Sequence, residues 1–476
     1  MHVSSLPGDY SIGSLGSEAL EFIDFLSECK FSVWQVLPFG MTDAYNSPYK
    51  SSASFGANPF FIDLRTLCAQ SLITEEELAA ARQKSPYLSE FSRLWSERID
   101  LLSRAAGRAD SDTKDKVAKF IKENPYIASA ARFLALLDKN GGRPWQEFEF
   151  DTPDEERLFM WQFVQYEFYS QWMRVKMYAN EKGISIIGDL PIYVDINSAD
   201  VYSDPQLFQL DKNGYPTAVA GVPPDAFSAD GQLWGNPLYN WQEMKKDGYS
   251  WWKARISHAL TLFDGIRIDH FRAIEAYWSI PQAAESAKEG KWVRGPGRAL
   301  IDAIRSVSGD KLIIAEDLGV ITPRVKSLLK YSRFPGMRVF QFGFADEGEN
   351  PHLPHNYPEN SVSYTGTHDN NTLLGFLYEC DANVRERVYD YCSAPRSGEI
   401  RDSVEYCIKS VLASHSARVI FPIQDVFGFG ADTRMNTPGV ATGNWAYRIT
   451  REQLLSVDRA KFARLNTLYG RGVDII

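Results

Sequence analysis

Short apolar runs rich in β-branched residues recur along the chain, and each run ends in polar residues. Helix-like patterns separate most of them, among them Ser17 to Glu28 and a segment that opens with Thr322-Pro323, where threonine can cap a helix and proline suits its first turn. Strands that alternate with helices predict a parallel sheet. The seven predicted strands are Ser32 to Pro38, Ile184 to Leu190, Phe263 to Asp269, Lys311 to Asp317, Met337 to Phe342, Val362 to Thr367 and Ala417 to Pro422.

This order of elements predicts an α/β fold of the (β/α)8 TIM barrel type. A closed barrel needs eight strands, and the missing one should precede the first helix, where Met1 to Ser5 leave room only for a truncated strand. A barrel with insertions can take up all 476 residues around a single core. We therefore expect one elaborated barrel with helical and loop insertions.

The alternation is interrupted by a long stretch that predicts an inserted helical subdomain. Residues 65–154 are rich in charge and helix formers, and Thr74-x-x-Glu77 forms a capping box. Glu155 to Lys182 is apolar on nearly every face, which a helix tolerates only when it is buried on several sides, so it should join the insertion to the barrel. The catalytic barrel is then expected in residues 1–64 and 155–476.

Two further segments, residues 211–240 and 428–444, are dense in Gly, Pro, Asn and Asp without a sustained period, and they predict loops. Loops of this length in a compact domain are usually functional. The first is interpreted as an active-site insertion whose apolar residues suit a lid. These residues are Val219, Val222, Pro223, Pro224, Phe227, Leu233 and Trp234.

Composition and charge restrict the class of function. The chain is 44% hydrophobic and 24% charged, and its longest apolar runs are too short to cross a bilayer, so no membrane segment is expected. The net charge is -10 and no long Lys/Arg cluster is present, which argues against a nucleic-acid partner. No secretion or transit signal is visible at the N-terminus, so we expect a cytoplasmic protein. The five scattered cysteines indicate neither a disulfide framework nor a zinc site.

Acidic residues at strand ends are the candidates for chemistry, because α/β barrels build their active sites where the strands end at the carboxyl face. Any single acid there could instead cap a helix, but five together favour a site. They are Asp189, Asp269, Glu316, Asp369 and Asp425.

The strand that leads to Asp269 places a cation beside this acid. Alternation sends Ile266 and Ile268 to one face and Arg267 and Asp269 to the other, which must be the barrel interior or its mouth. A neighbouring cation favours the ionised carboxylate that a nucleophile needs. The alternative interpretation is a structural ion pair.

Glu316 ends an apolar run, half shielded by hydrophobic neighbours, where desolvation raises the pKa of a carboxyl group and suits it to act as a general acid. Two carboxyl groups in distinct environments are what glycosidic bond cleavage requires, and retaining chemistry places them roughly 5–5.5 Å apart. At another strand end Asp369 neighbours His368, a pairing suited to gripping adjacent hydroxyls of one sugar ring.

Motifs of other chemistries are absent from the sequence. Neither H-x-H nor H-E-x-x-H occurs, and the seven histidines are dispersed, so we expect no catalytic metal. There is no G-x-S-x-G elbow, no Walker loop and no G-x-G-x-x-G after a strand, which counts against acyl, phosphoryl and hydride transfer. Because a carboxylate pair can supply acid, base and nucleophile, no cofactor is expected.

Longer motifs surround the candidate residues. They are Val33 to Pro38, Ser47-Pro-Tyr49, Gly188 to Val194, Gly265 to His270, Ala315 to Gly319, Gly366 to Asn371, Arg434-Met-Asn436 and Gly443-Asn-Trp445. Through these motifs, and over almost its whole length, the chain resembles the amylomaltases and disproportionating enzymes of glycoside hydrolase family 77.

The resemblance implies a 4-alpha-glucanotransferase, which moves α-1,4-glucan segments from a donor maltooligosaccharide to an acceptor sugar by retaining double displacement. It implies that Asp269 is the nucleophile, Glu316 the acid/base and Asp369 the transition-state stabiliser. The implied substrate-binding residues are Arg267, His270, His368 and Asp189 around the donor sugar, with Ser47, Tyr49, Trp234 and Asn436 in the glucan groove.

Two other functions stay open at the level of sequence. The α-amylase family shares barrel and triad, so a retaining α-glucan hydrolase is the main alternative. That family normally adds a C-terminal β-sandwich, whereas here one helical segment follows Leu454. A catalytically silent glucan-binding protein is the second alternative. Water and a sugar hydroxyl attack the same glycosyl-enzyme intermediate, so no residue type separates hydrolase from transferase.

Overall fold

The computed structural model describes residues 1–224, 230–345 and 349–472. Within these residues eleven strands form two sheets. The strands are β1 Val33–Gln35, β2 Ser185–Leu190, β3 Ala218–Val222, β4 Gln232–Pro237, β5 Gly265–Ile268, β6 Ala276–Pro281, β7 Lys291–Arg294, β8 Leu312–Ala315, β9 Gly336–Val339, β10 Ser361–Tyr364 and β11 Arg418–Ile420.

The same residues form nineteen α-helices. They are α1 Ser17–Glu28, α2 Leu64–Ala69, α3 Glu75–Ala80, α4 Phe91–Arg93, α5 Ile99–Gly107, α6 Ser111–Glu123, α7 Pro125–Lys139, α8 Glu155–Glu181, α9 Ala199–Ser203, α10 Trp241–Lys246, α11 Ser250–Leu262, α12 Arg298–Ser308, α13 Pro323–Ser332, α14 Leu373–Glu379, α15 Ala382–Cys392, α16 Ile400–Leu412, α17 Ile423–Phe427, α18 Arg451–Ser456 and α19 Arg459–Leu468.

The larger sheet is a nearly closed parallel barrel, as the sequence predicted. Its order is β1-β2-β5-β8-β9-β10-β11, so all seven predicted strands are confirmed and neighbours in the sheet follow chain order. The gap lies between β11 and β1, and Tyr364 on the next strand, β10, donates from its hydroxyl to Gln35 Oε1 on β1 at 2.9 Å. The truncated strand expected in Met1 to Ser5 is not formed, because Val3–Ser5 is a 3₁₀ turn; this segment lies beside β1, where Trp34 Nε1 donates to the carbonyl of Met1 at 2.6 Å.

A second sheet, antiparallel and ordered β4-β3-β6-β7, corrects one prediction. Residues 211–240 are not an irregular loop, because they contain β3 and β4; Phe227, which the predicted lid included, lies outside the described residues. Strand β3 pairs with the distant β6, and a Cβ at Gly221 would lie 2.2 Å from the carbonyl oxygen of Gln232. The glycine that obscured the strand pattern is therefore needed for close pairing.

Helix α8 joins the preceding helices to the barrel, as its apolar faces predicted. It contacts α5, α6 and α7 on one side and α1, α11 and β2 on the other. Gln165 and Gln171 accept the backbone N–H groups of Ala57 and Asp63, both at 2.8 Å, which satisfies polar groups that the packing buries.

The segment 65–154 contains most of α2 and all of α3 to α7, and the predicted capping box between Thr74 and Glu77 is present. The division into a barrel of residues 1–64 and 155–476 with an inserted subdomain stays a prediction. After β11 the described chain adds α17, α18 and α19 to the molecule and no further strand of either sheet. Across the described ranges no helix is both long and apolar enough to span a membrane.

Candidate active site

The carboxyl ends of the parallel strands open into a cleft of about 670 Å³. The structure brings all eleven predicted site residues together here. Ten line the cleft: Ser47, Tyr49, Trp234, Arg267, Asp269, His270, Glu316, His368, Asp369 and Asn436. The eleventh, Asp189, is buried beneath it in contact with Arg267 and Tyr49.

Asp269 and Glu316 occupy matching positions on neighbouring strands. Strands β5 and β8 are parallel, and their last residues, Ile268 and Ala315, lie opposite each other. Asp269 and Glu316 are the residues that immediately follow them. The N–H of Glu316 donates to the carbonyl of Ile268 at 3.0 Å, which holds this register at the mouth of the barrel. Because adjacent strands lie roughly 4.8 Å apart, the two carboxyl groups leave the backbone as close neighbours.

Arg267 fixes the position of Asp269 from inside the barrel. Its Nη2 forms an ion pair with Asp269 Oδ1 at 2.7 Å, and its Nη1 donates to both oxygens of Asp189 at 2.9 and 2.7 Å. The side chains of Arg267 and Asp189 are buried, whereas that of Asp269 stays 29% exposed in the cleft. Burial raises the pKa of Asp189, and the guanidinium opposes that rise. The predicted cation beside Asp269 is thus confirmed.

Glu316 is shielded from solvent, as its apolar strand predicted. Its Oε2 accepts the N–H of His270 at 2.7 Å and its Oε1 accepts the N–H of Leu318 at 2.8 Å. Burial, followed by the negative charge of Asp269, raises the pKa of Glu316 to about 8. The group is therefore protonated at neutral pH and close to the pH at which it can also act as a base.

On another side of the cleft, Asn436 orients the pair formed by His368 and Asp369. His368 Nε2 lies 3.3 Å from Asp369 Oδ2, and Asn436 Nδ2 donates to Asp369 Oδ1 at 2.6 Å. The backbone N–H of Asn436 donates to the carbonyl of His368 at 3.1 Å, and Arg434 donates to the carbonyl of Asp369. Asp369 remains 47% exposed, so its carboxylate faces the open cleft.

His270 presents a polar atom that lacks a protein partner. Its backbone is left-handed, with φ 53°, and its ring meets Trp234 edge to face at 5.0 Å. Burial lowers the pKa of His270 to about 4, so the imidazole is neutral. Its Nε2 is buried without a hydrogen-bond partner among the described residues, and such an atom is costly unless a ligand satisfies it.

Tyr49 connects the two sides of the cleft. Its hydroxyl donates to Asp189 Oδ2 at 2.7 Å, and its ring stacks on His368 with centroids 5.0 Å apart. Ser47 Oγ accepts the N–H of Tyr49 at 3.3 Å and so supports its position. Sequence reasoning did not select Trp445, although it lies in the Gly443-Asn-Trp445 motif; its ring centroid is 5.8 Å from those of both Tyr49 and His368.

Asp425 does not take part in the cleft, which corrects its grouping with the other strand-end acids. It lies in α17 rather than at a strand end, where one oxygen accepts the hydroxyl of Thr365 at 2.5 Å and the other accepts the N–H of Leu373 at 2.7 Å. Leu373 is the first residue of α14, so Asp425 accepts one of the backbone N–H groups that have no partner within the helix. Burial raises the pKa of Asp425 to about 6. Its role is structural.

A family model described as 4-alpha-glucanotransferase, glycoside hydrolase family 77, matches residues 1–454. The chain belongs to the 4-alpha-glucanotransferase family. The matched residues include Asp269, Glu316, Arg267 and Asp369. The protein is therefore a 4-alpha-glucanotransferase that acts on α-1,4-glucans.

Relatives across this family align over nearly the full chain. A 4-alpha-glucanotransferase of Streptococcus pneumoniae is 39% identical over 490 aligned residues, covering 99% of this chain and 96% of its own. The 4-alpha-glucanotransferase of Aquifex aeolicus is 40% identical, with 99% of each chain covered. The solved amylomaltase from Streptococcus agalactiae, in complex with acarbose, has a TM-score of 0.95 and 35% identity over 99% of both chains.

Proposed function

We propose that this 4-alpha-glucanotransferase works by retaining double displacement, with Asp269 as nucleophile and Glu316 as acid/base. The observation that carries the proposal is their matched position after β5 and β8, one carboxylate held by Arg267 and the other shielded from solvent. A retaining mechanism needs carboxyl groups roughly 5–5.5 Å apart, and neighbouring strands favour that short separation over the wider one of inverting enzymes.

In the first step, Asp269 attacks the anomeric carbon of the donor glucan while Glu316 gives its proton to the glycosidic oxygen. The raised pKa of Glu316 supports this role, because the carboxyl group carries its proton at neutral pH. Arg267 keeps one oxygen of Asp269 fixed by an ion pair, so the exposed part of the carboxylate can reach the sugar. The leaving glucan departs with the proton, and the donor sugar stays bound to Asp269 as an ester.

In the second step, Glu316, now ionised, removes a proton from an acceptor hydroxyl, whose oxygen attacks the anomeric carbon. The bond between that carbon and Asp269 breaks, a new glycosidic bond forms and the carboxylate of Asp269 is released. Asp369 and His368 are proposed to hold adjacent hydroxyls of the donor sugar, with Asn436 keeping Asp369 in place. The neutral ring of His270 offers its unpartnered Nε2 to the same sugar.

Maltooligosaccharides are the proposed donors and acceptors. The Streptococcus agalactiae relative was solved in complex with acarbose. By analogy with this relative, we propose that α-glucan oligosaccharides bind in the cleft. The aromatic walls formed by Tyr49, Trp234 and Trp445 suit the apolar faces of sugar rings. Well-oriented acceptor hydroxyls reach effective molarities of roughly 10⁵ M or more, which is sufficient to compete with water.

Maltotriose as sole substrate tests transfer against hydrolysis. Transfer conserves the number of glycosidic bonds, so we expect longer glucans and shorter sugars to appear together while the concentration of reducing ends stays constant. Time-resolved product sizing with a reducing-end assay measures both. A steady rise of reducing ends without any product longer than maltotriose would establish the hydrolase alternative instead.

The pH dependence tests the role of Glu316. Because its raised pKa is about 8 and the acid form is required for the first step, kcat/KM on maltotriose should fall as pH rises through that value. The expected slope is roughly tenfold per pH unit beyond it. A glucosyl fluoride donor needs no proton on its leaving group, so its first step should lack this alkaline limb. An identical alkaline limb with both donors would contradict the assignment.

A further inference from the structure

A tryptophan on the second sheet reaches the rim of the cleft although no catalytic role requires it. Trp292 lies on β7, directly opposite Trp278 on β6, and the two rings meet edge to face with centroids 5.0 Å apart. Trp292 lines the cleft and is 39% exposed, which is high for a large apolar ring in a folded chain. An exposed indole held at the wall of a sugar-binding cleft is a stacking surface.

The buried guanidinium of Arg272 holds this ring in place. The Cζ atom of Arg272 lies 3.6 Å from the centroid of the Trp292 ring, a close cation–π contact, and Arg272 is only 4% exposed. Arg272 Nη1 also donates to the carbonyl of Val320 at 2.7 Å. One face of the indole is therefore covered by Arg272, while Trp292 as a whole stays 39% exposed and lines the cleft.

The segment that carries Trp292 is fastened to the segment that follows the nucleophile. The N–H groups of Gly295 and Gly297 donate to the carbonyls of Glu275 and Ile274, both at 2.8 Å. A Cβ at Gly295 would lie 2.4 Å from the carbonyl oxygen of Ile274, so this approach requires a glycine. These bonds hold the strand that carries Trp292 against the segment that follows Asp269 in the chain, which includes Arg272.

Contacts place Trp292 on the side of the cleft beyond Glu316. Arg272 bridges Trp292 to Val320, and Val320 follows Leu318, whose N–H binds the Glu316 carboxyl group. The proposed donor-sugar contacts lie elsewhere, around His368 and Asp369. Because a general acid protonates the oxygen between donor and leaving glucan, residues beyond that acid face the leaving glucan and the acceptor that replaces it.

We propose that Trp292 is the stacking platform for an outer sugar of the acceptor glucan and thereby sets which acceptor lengths are preferred. The inference rests on the proposed role of Glu316 as acid/base. Glucose fills only the position next to the scissile bond and does not reach the platform, whereas maltotriose extends along the cleft to it. Stacking of this kind stabilises bound acceptor and transition state alike, so it affects KM rather than kcat.

The test compares three variants with a fixed, low concentration of maltosyl fluoride as donor and glucose, maltose or maltotriose as acceptor. Trp292→Ala should raise the KM for maltotriose by roughly three- to tenfold, the range expected for the loss of one aromatic contact. The KM for glucose and kcat should stay unchanged, and Trp292→Phe should retain most of the maltotriose affinity. Trp95→Ala is the matched control, because Trp95 is also 39% exposed but does not line the cleft.

An equal rise of KM for glucose and maltotriose, or an equal fall of kcat with every acceptor, would show that Trp292 only supports packing. A change confined to the KM for maltosyl fluoride, measured at saturating acceptor, would place it on the donor side. Either result overturns the proposal. Failure of the proposed mechanism is separable, because the acceptor-length profile of Trp292→Ala is measured on an enzyme with Asp269 and Glu316 intact.

Discussion

Asp269→Asn should abolish turnover while leaving the fold intact. An amide nitrogen cannot attack the anomeric carbon, and loss of a covalent nucleophile lowers kcat by a factor on the order of 10⁴ to 10⁶ in well-studied enzymes. The substitution conserves volume, and the asparagine oxygen can still accept from Arg267, whose other partner is Asp189. Initial rates with maltotriose, together with thermal unfolding followed by circular dichroism, measure the two effects separately.

Asp264→Asn is a matched control for this prediction. Asp264 precedes the same strand, β5, at its opposite end, where it binds the N–H of Ile186 and pairs with Lys176 at 3.6 Å. Its substitution should lower stability without changing the chemistry. Activity of Asp269→Asn within about tenfold of the parent enzyme would assign the nucleophile to another group.

Glu316→Gln should separate substrates by their leaving groups. With maltotriose both steps need this carboxyl group, so we expect kcat to fall by a factor of about 10² to 10⁴, the contribution typical of general acid–base catalysis. With glucosyl fluoride the first step should proceed at close to the parent rate, because fluoride departs without protonation. The amide oxygen of glutamine can accept one of the N–H groups of His270 and Leu318, but its NH2 group cannot accept the other, so thermal unfolding of the variant is measured alongside its activity.

The measurement is the initial release of fluoride compared with maltotriose turnover for the same preparation. Activity that falls equally with both donors would point to a different acid. Asp317→Asn is a suitable control, since Asp317 is the adjacent buried carboxylate but binds Arg338 and the N–H of Met337 instead of lining the cleft.

The barrel strands could be predicted because each is a short apolar run that ends in polar residues. Strands β3, β4, β6 and β7 could not, since the pair that joins the two hairpins, β3 with β6, links distant segments and Gly221 breaks the alternation at a close approach to Gln232. Local patterns indicate which residues prefer an extended backbone, whereas the partner of a strand depends on the tertiary fold.

The candidate site, too, could be predicted where it depends on local sequence and not where it depends on tertiary packing. Alternation along one strand placed Arg267 beside Asp269, and the structure confirms the contact. The same local signal, an acid after an apolar run, also selected Asp425, whose hydrogen bonds to Thr365 and Leu373 depend on packing that the sequence does not display. Trp292 was missed because it stands alone among charged residues, and only its neighbours across the sheet bring it to the cleft.

Trapping the glycosyl-enzyme tests the central claim most directly. In Glu316→Gln supplied with glucosyl fluoride, the first step proceeds but the base of the second step is missing, so the intermediate should accumulate. Mass spectrometry of the acid-quenched, digested protein should then find one glucosyl unit on the peptide that contains Asp269, localised to that residue. An adduct on a different residue, or turnover of the fluoride with no adduct at all, would contradict covalent catalysis by Asp269.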